Sequence, residues 1–365
     1  HHMSHAVSAF FPSPFEEATI LIIDGVGEWS CTSIAYGKNN NIKLLAEQRF
    51  PHSIGFLYSS FTQYLGFKVD SGEYKLMGLA PYGEPKYVDI IKKHIVSFDS
   101  KGQIKLSLEK FDFLSGNRMI NQKFENIFGR PSLIEGEEIE QFHMDVAKSI
   151  QMVTEEIIHN VVTYAVELTS SKNLVMAGGV ALNCVNNGKL LKSGLIDRLW
   201  VQPCSGDGGG ALGAALATYA TVFDSERKIN KNDSQYGSYL GPSFSSKDIE
   251  EVLDGYKFSY TKYNADDLAI EMAKKLSSGN VIGLFQGRME YGPRALGARS
   301  IIADPRNQEM QSRLNLKIKF RESFRPFAPI VLEESYKDWF EDLVDGSPYM
   351  LLTTKVAKSK LINLD

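Results

Sequence analysis

The stretch Ala18–Trp29, ATILIIDGVGEW, decides how the first half of the chain folds. Its apolar run Ile20–Ile23 reads as a buried strand, and Asp24 stands at the bend of the tight Gly-rich turn that follows. The residues after this turn are not helical in pattern. Residues 29–37, WSCTSIAYG, are β-rich, KNNN at 38–41 is a turn, and 42–50, IKLLAEQRF, alternate like a further strand. The glycines therefore join strand to strand, as in a hairpin. Dinucleotide-binding and P-loop proteins place theirs between a strand and a helix, and GVGEWS at 25–30 fits neither pattern.

Working outward, a helix is expected over about 54–68. SGEYKLMGLAPYGEP at 71–85 reads as a Gly- and Pro-rich loop, and KYVDIIKKHIV at 86–96 returns to helix. The clearest helix is 142–168, where Val146, Ile150, Val153, Ile157, Val161 and Tyr164 recur at three or four residues and should face a core. His94, His143 and His159 fall in these helices and are expected to be structural or solvated. NLVMAGGVALNCVNNGKLL at 173–191 then reads as strand, Gly178–Gly179 turn and helix. RLWVQPCSGDGGGALGAALATYA at 198–220 repeats the scheme, with a loop expected from Pro203 to Gly210 before an Ala-rich helix. Glycine at such turns permits close backbone approach, and helix N-terminal amides favour an anion. Two strand–Gly–helix units after a β-hairpin resemble the actin-like nucleotide-binding fold shared with sugar kinases. A Gly-rich α/β domain that binds no nucleotide is the alternative.

With 365 residues, 43% hydrophobic and 23% charged, the chain has room for two well-buried domains and the composition of an ordinary globular protein. A net charge of −4 gives no overall pull toward nucleic acid or membrane. Cys31, Cys184 and Cys204 are odd in number and widely spaced, which suits a reducing compartment and argues against a disulfide framework or thiolate zinc site. No apolar run approaches the length of a membrane span and none reads as a signal peptide, so a cytoplasmic location is expected.

A boundary is expected near residue 241, where YLGPSFSSKDIEEVL places Gly-Pro and a serine cluster before a new helix. The expected domains are 1–240 and 241–365. Beyond the boundary the charge changes sign. Arg288, Arg294, Arg299, Arg306, Arg313, Lys317, Lys319, Arg321 and Arg325 outnumber Glu290, Asp304, Glu309 and Glu322 between 281 and 330. Arginines interleaved with Gly and Pro in QGRMEYGPRALGARS (286–300) and KIKFRESFRPFAP (317–329) are good bidentate ligands for phosphate or carboxylate. A small-anion pocket is favoured over a nucleic-acid surface, which would bring lysine clusters and a more basic domain.

At the other end, HHMSHAVSAFFPSPFEEA (1–18) opens with His1, His2 and His5. His-His-Met is what a trimmed purification tag leaves, but His1 and His5 also have the i,i+4 spacing that puts two imidazoles on one helix face.

Seven blocks, in order, resemble one family: HHMSHAVSAFFPSPFEEA, DGVGEW, KLMGLAPYG, GGVALNCVNN, SGDGGGALGAA, GRMEYGPRALGARSI and FRPFAPIVLEE. They are similar to the O-carbamoyltransferases of nodulation-factor, cephamycin and tobramycin biosynthesis. The resemblance implies an α/β, actin-like domain, similar to that of tRNA threonylcarbamoyl transferases, followed by a smaller α+β YrdC-like domain. It implies carbamoyl-adenylate formation from carbamoyl phosphate and ATP/Mg2+ in the second domain, then transfer to a hydroxyl in the first. It makes the histidines native, with His1, His5, Asp24 and Asp207 as ligands of Fe2+ or another divalent ion. Asp24 and His2 carry catalytic roles, His2 as ligand-orienting group or general base. Gly25, Gly27, Gly178, Gly179, Asn183 and Gly208 line the nucleotide site, and Arg288, Arg294, Arg299, Lys319, Arg321 and Arg325 are the candidates for phosphate groups, some of them paired instead with Glu290 or Glu322. The expected partner is a small-molecule hydroxyl acceptor, with neither nucleic acid nor membrane; a second copy or a complementing polypeptide is the expected assembly. The family's first strands and its C-terminal Ser-x-Asn motif have no counterpart here, so a fragment lacking both ends is expected. The alternatives are a non-catalytic nucleotide-binding partner of a split enzyme, a related tRNA-modifying transferase and, furthest off, a sugar kinase.

Overall fold

The computed structural model describes residues 1–223, 225–231, 233–343 and 346–361. They divide into two compact units. The first comprises His1–Ser234, Glu334–Ser347 and Leu351–Asp365, and the second Gln235–Glu333 and Pro348–Met350. The chain after Glu333 thus returns for the most part to the first unit.

In the first unit a short helix, α1 (His2–Phe10), precedes a three-stranded meander of β1 (Glu17–Gly27), β2 (Ser30–Lys38) and β3 (Asn41–Arg49). Helices α2 (Ile54–Tyr64), α3 (Glu73–Leu79) and α4 (Val88–His94), the small hairpin β4 (Val96–Phe98) and β5 (Ile104–Leu106), and α5 (Gln122–Phe128) lead to the long α6 (Gln141–Thr169). Two strand–helix units complete the order: β6 (Asn173–Ala177) with α7 (Cys184–Lys192), and β7 (Arg198–Val201) with α8 (Asp207–Val222). The five-stranded sheet has the order β3-β2-β1-β6-β7. Its meander is antiparallel, while β6 runs parallel to β1 and β7 parallel to β6. The expected strand–turn–strand start and both strand–Gly–helix units are present, in a mixed α/β architecture.

The central strand β1 explains the layering. Ile20, Leu21, Ile22 and Ile23 are all buried, so both faces of the strand must be covered. Ile20 and Ile22 pack with Ala6, Ala9 and Phe10 of α1 and with Val175 and Ala177 of β6. Leu21 and Ile23 point the other way, and α2 and α6 also pack on β1. On α6, Val146, Ile150, Val153, Ile157 and Val161 are buried as their spacing requires, while Tyr164 is half-buried beneath the Lys101 ammonium. His94 and His159 are exposed, and His143 is a helix-start residue whose Nδ1 accepts the Glu140 amide at 2.9 Å.

Two expected loops are partly helical. Within 71–85 the chain forms α3 and a 3-10 turn, Ala80–Tyr82. The Glu73 carboxylate accepts the Asp70 and Gly72 amides at 3.0 and 3.1 Å, closing the helix start, and Leu76 and Leu79 are buried. Burial of these two leucines outweighs the low helix propensity of the flanking glycines. Likewise α8 begins at Asp207, inside the stretch expected as loop, because its glycines sit against neighbouring backbone: a Cβ at Gly213 would lie 1.8 Å from the Ser4 carbonyl oxygen of α1.

The second unit holds α9 (Ser246–Gly255), α10 (Ala265–Ser277), the antiparallel pair β8 (Ile282–Phe285) and β9 (Arg299–Ile302), and the short α11 (Met310–Arg313). Ser245 and Asp248 form a reciprocal cap on α9, and Asn264 caps α10. Among the described residues no helix is long and apolar enough to cross a membrane.

Two stability measurements check this packing. Gly213→Val forces α1 away from α8 and is expected to cost about 1–3 kcal/mol in denaturant unfolding. In the second, the buried Asp145 carboxylate accepts Lys86 Nζ at 2.8 Å, the Glu84 amide at 2.9 Å and Gln141 Nε2 at 2.8 Å. Burial pushes its pKa up, but the Lys86 ammonium, the Glu84 amide and Gln141 together outweigh burial and hold it below the ordinary value. Its stabilisation is therefore present above the ordinary carboxylate range and is lost as pH falls through the folded-state value. Asp145→Asn should cost about 1.5–3 kcal/mol at pH 7, with the gap to wild type closing below about pH 4; an equal loss at both pH values contradicts this assignment.

Candidate metal centre

Three elements of the first unit bring four side chains that could ligate a metal to one point. His1 lies at the start of α1 and His5 one turn further on, their backbones joined by the His5 N–H to His1 carbonyl bond of 3.1 Å. Asp24 comes from β1, whose ladder with β2 is regular to Ile23 and shifts register before Gly27. That irregularity frees Asp24 from strand pairing and re-aims it. Asp207 is the first residue of α8.

The imidazole Nε2 atoms of His1 and His5 are 3.1 Å apart. Asp24 Oδ2 lies 3.1 Å from His1 Nε2 and 3.4 Å from His5 Nε2, and Asp207 Oδ1 lies 3.3 and 3.6 Å from them. All four ligand atoms fall within 4.8 Å of one another. Donors about 2.1 Å from a common ion stand about 3.0 Å apart for octahedral and about 3.4 Å for tetrahedral angles, so these spacings fit a shared divalent cation. Two nitrogens and two carboxylate oxygens suit a borderline transition metal better than Mg2+ or Ca2+, which prefer oxygen alone. His5 is fully buried and Asp24 partly exposed, its side chain 13% accessible, whereas the Asp207 side chain is 80% exposed and forms the open side.

The surroundings hold these ligands in place. Asp24 Oδ1 accepts the Gly179 amide at 3.1 Å. Burial pushes the Asp24 pKa up, but His5 and the Gly179 amide hold it below the ordinary value, so the group stays ionised. Gly178 has φ +92°, and a Cβ there would lie 2.3 Å from the Ile23 carbonyl oxygen; only glycine lets the turn pass this close to β1. Ser53 donates to the Asp24 and Gly25 carbonyls at 3.1 and 2.6 Å while capping α2. At the far end of α1, the Arg227 guanidinium lies over the Phe10 ring and donates to the Phe11 and Ser13 carbonyls at 2.9 and 2.8 Å. Burial lowers its pKa to about 10, still leaving it charged at neutral pH.

The remaining expected residues divide into those brought to the centre and those elsewhere. His2 stands beside it, its ring 6.2 and 6.4 Å from those of His1 and His5, with Nδ1 2.6 Å from Ser33 Oγ. Burial, opposed by the Asp24 charge, lowers its pKa to about 4, so the ring is neutral near pH 7. Gly25 and Gly27 back onto the Phe56 and His1 rings, and Gly208 is the second residue of α8, after Asp207. Asn183 caps α7 and forms a reciprocal amide pair with Gln151 at 3.0 and 3.1 Å. Residue pattern alone does not point to Ser33, Gln151 or Arg227. Ser53 carries the one usable signal, as a serine immediately before a helical pattern; the others are recognisable only by their partners.

In the second unit the basic candidates occupy two groups. Arg288 donates to the Tyr239 and Leu240 carbonyls, both at 3.2 Å. Arg299 stacks 3.5 Å over Phe285 and donates to the Gln286, Ala298 and Gly287 carbonyls. Arg294 lies on the same loop. Arg321 donates to Asn315 at 2.7 Å and lies over Phe327, while Arg325 pairs with Glu322 at 3.5 Å. Burial, then the charges of Arg321 and Arg325, lower the Lys319 pKa, which marks three cations crowded together. Of the two suggested acidic partners, Glu322 is used and Glu290 is not: backbone amides hold it instead.

Stoichiometric binding of Fe2+ or Zn2+, read by mass spectrometry of metal content, is expected for the chain and should be lost in His5→Ala and in Asp207→Ala. Ser53→Ala should weaken affinity about 10- to 100-fold without abolishing binding. Full occupancy in either ligand variant rules the centre out.

A family model described as the carbamoyltransferase N-terminus matches residues 1–216, and one described as the carbamoyltransferase C-terminus matches residues 273–364. The chain is 52% identical over 358 residues to the uncharacterized protein sll1178 of Synechocystis sp., covering 98% of this chain and 58% of that protein. It is 38% identical over 363 residues to nodulation protein NolNO of Sinorhizobium fredii, covering 99% of this chain and 51% of that one. To nodulation protein NolO of Bradyrhizobium diazoefficiens it is 38% identical over 365 residues, covering 99% and 63%. The chain therefore spans between about half and two thirds of the length of these relatives. With one model spanning the four clustered candidate residues and the other the Arg-rich segment, the chain belongs to the carbamoyltransferase family.

Proposed function

We propose that this chain takes part in ATP-dependent O-carbamoyl transfer, with carbamoyl phosphate as carbamoyl donor and a hydroxyl of a small molecule, sugar or natural product as acceptor. The observation that carries the reading is the convergence of His1, His5, Asp24 and Asp207 within 4.8 Å in a chain of this family. The strand order β3-β2-β1-β6-β7, with Gly turns after β6 and before α8, supports an actin-like nucleotide fold for the first unit, and the Arg-rich loops support a YrdC-like, phosphate-handling role for the second. The division of labour between residues 1–240 and 241–365 belongs to this proposal. Three free cysteines suit a cytoplasmic setting.

In the first step, carbamoyl phosphate, ATP and one water become carbamoyl-adenylate, pyrophosphate and phosphate. Arg288, Arg294 and Arg299, with Lys319, Arg321 and Arg325, would hold the phosphate oxygens; several fixed cations are needed because the reactants are polyanions. In the second step the acceptor oxygen attacks the carbamoyl carbon, the bond to the AMP phosphate oxygen breaks, and the hydroxyl proton leaves. A divalent ion held by His1, His5, Asp24 and Asp207 would supply Lewis acidity and a counter-charge for the AMP phosphate. His2, uncharged and hydrogen-bonded to Ser33, would orient the reacting groups or accept the proton. The amides at Gly178–Gly179 and the start of α8, with Gly25, Gly27, Asn183 and Gly208, would border the nucleotide.

The test separates the half-reactions. With ATP/Mg2+, carbamoyl phosphate and bound Fe2+, pyrophosphate release should depend on carbamoyl phosphate, fall at least about tenfold in Arg299→Ala, and persist in His5→Ala. Transfer of labelled carbamoyl to methyl glucoside, or AMP release in its presence, should be lost in His5→Ala. Nucleotide and metal binding with no pyrophosphate release at all would replace this reading by that of a non-catalytic partner.

A further inference from the structure

We propose that Glu290 is a positioning residue: its carboxylate closes the loop between β8 and β9 into a preformed cradle, so that Arg288, Arg294 and Arg299 meet the phosphate of the carbamoyl donor without reordering. The inference rests on the phosphate-binding role proposed for that loop. Glu290 is 9% exposed, and one oxygen, Oε1, accepts three backbone amides: Leu296 at 2.9 Å, Ala298 at 2.7 Å and Arg299 at 3.1 Å. Among the described residues no cation pairs with it. A carboxylate out of water is costly unless hydrogen-bonded, so this one is retained by the loop backbone that folds around it. Those amides outweigh burial and keep its pKa below the ordinary value, so the charged form is the one enclosed.

Several further contacts make the loop a closed unit. The Gln286 amide bonds the Ala298 carbonyl at 3.0 Å across its neck, and Tyr239 donates to the Leu296 carbonyl at 2.6 Å. Gly292 and Gly297 take φ of +130° and +108°, turns that a side chain would resist. The guanidiniums at the two ends are themselves fixed to carbonyls. Arg288 uses two donors for Tyr239 and Leu240, and Arg299 three for Gln286, Ala298 and Gly287. A guanidinium has five N–H donors, so about three and about two respectively are left for an anion. Glu290 Oε1 is occupied by loop amides, and it sets the backbone from which Arg294 and Arg299 project.

Reach and charge can be varied separately. Gln keeps the oxygen at the same distance without the charge, whereas Asp keeps the charge but draws it back by one methylene. If Glu290 positions the loop, Glu290→Asp and Glu290→Ala should raise KM for carbamoyl phosphate in pyrophosphate release at least about tenfold, with kcat changed less than about threefold, and Glu290→Gln should restore KM to within about threefold of wild type. The opposite order, Asp retaining function and Gln losing it, would mean that the charge acts directly and overturns the proposal, as would three variants alike and equal to wild type. Hydrogen–deuterium exchange across residues 290–300 provides a readout that does not need turnover. Exchange should accelerate in Glu290→Ala and Glu290→Asp and stay near wild type in Glu290→Gln; unchanged exchange in all three overturns it. A wild-type chain with no carbamoyl-phosphate-dependent pyrophosphate release, but with the expected exchange pattern, would fault the phosphate-donor reading and leave the loop assignment standing.

Discussion

The rest of the first unit depends on one constraint: β1 is apolar on both faces from Ile20 to Ile23 and becomes polar at the next residue. Covering both faces places α1 on one side and α2 and α6 on the other. Parallel pairing of β6 with β1, and of β7 with β6, then brings the turns after those strands to the edge where β1 breaks register at Asp24. Asp24, the Gly178–Gly179 turn and the start of α8 are neighbours for that reason, although long stretches of chain separate them.

Approach distance is the second element. Helix α1 contributes His1 and His5 only because it lies against α8 with the Ser4 carbonyl in the space a side chain at Gly213 would occupy. The same helix is held from behind: Gln202 donates to the Ser8 carbonyl, and Arg227 grips the chain just beyond Phe10. Imidazole nitrogens and carboxylate oxygens 3.1–3.6 Å apart are sensitive to small shifts, so a cluster built from three elements needs each backbone fixed by contacts outside it.

Both units solve the problem of an enclosed carboxylate in a similar way. Asp24 is held by the Gly179 amide beside its histidines, and Glu290 by three amides of its own loop. In each case burial opposes ionisation and directed N–H groups overcome it. The two sites differ in purpose. At Asp24 the other oxygen, Oδ2, faces the His1 and His5 nitrogens, whereas Glu290 Oε1 is taken up by loop backbone.

Much of this is legible in residue order alone. Periodicity identifies α6 and its buried face, the hairpin start and both strand–Gly–helix units, because these depend on local alternation and turn chemistry. The four clustered residues are candidates by type and by resemblance, and the i,i+4 spacing of His1 and His5 is legible by helix geometry. Local rules fail where packing outweighs propensity. Residues 73–79 and 207–210 are helical because buried leucines, the Glu73 carboxylate and a close helix crossing favour helix despite nearby glycines. Asn183 can be recognised as a polar residue beside a Gly turn, but its engagement with Gln151 cannot, since that partner lies on α6. Nor does the sequence distinguish Glu290 as a loop organiser from Glu290 as an arginine's counter-ion. The sequence by itself determined the chemical groups available and the local elements that carry them, through short-range sterics and hydrophobic pattern. Only the tertiary structure decided which groups share a site, because distances of about three ångströms between distant residues arise from the packing of whole elements rather than from spacing along the chain.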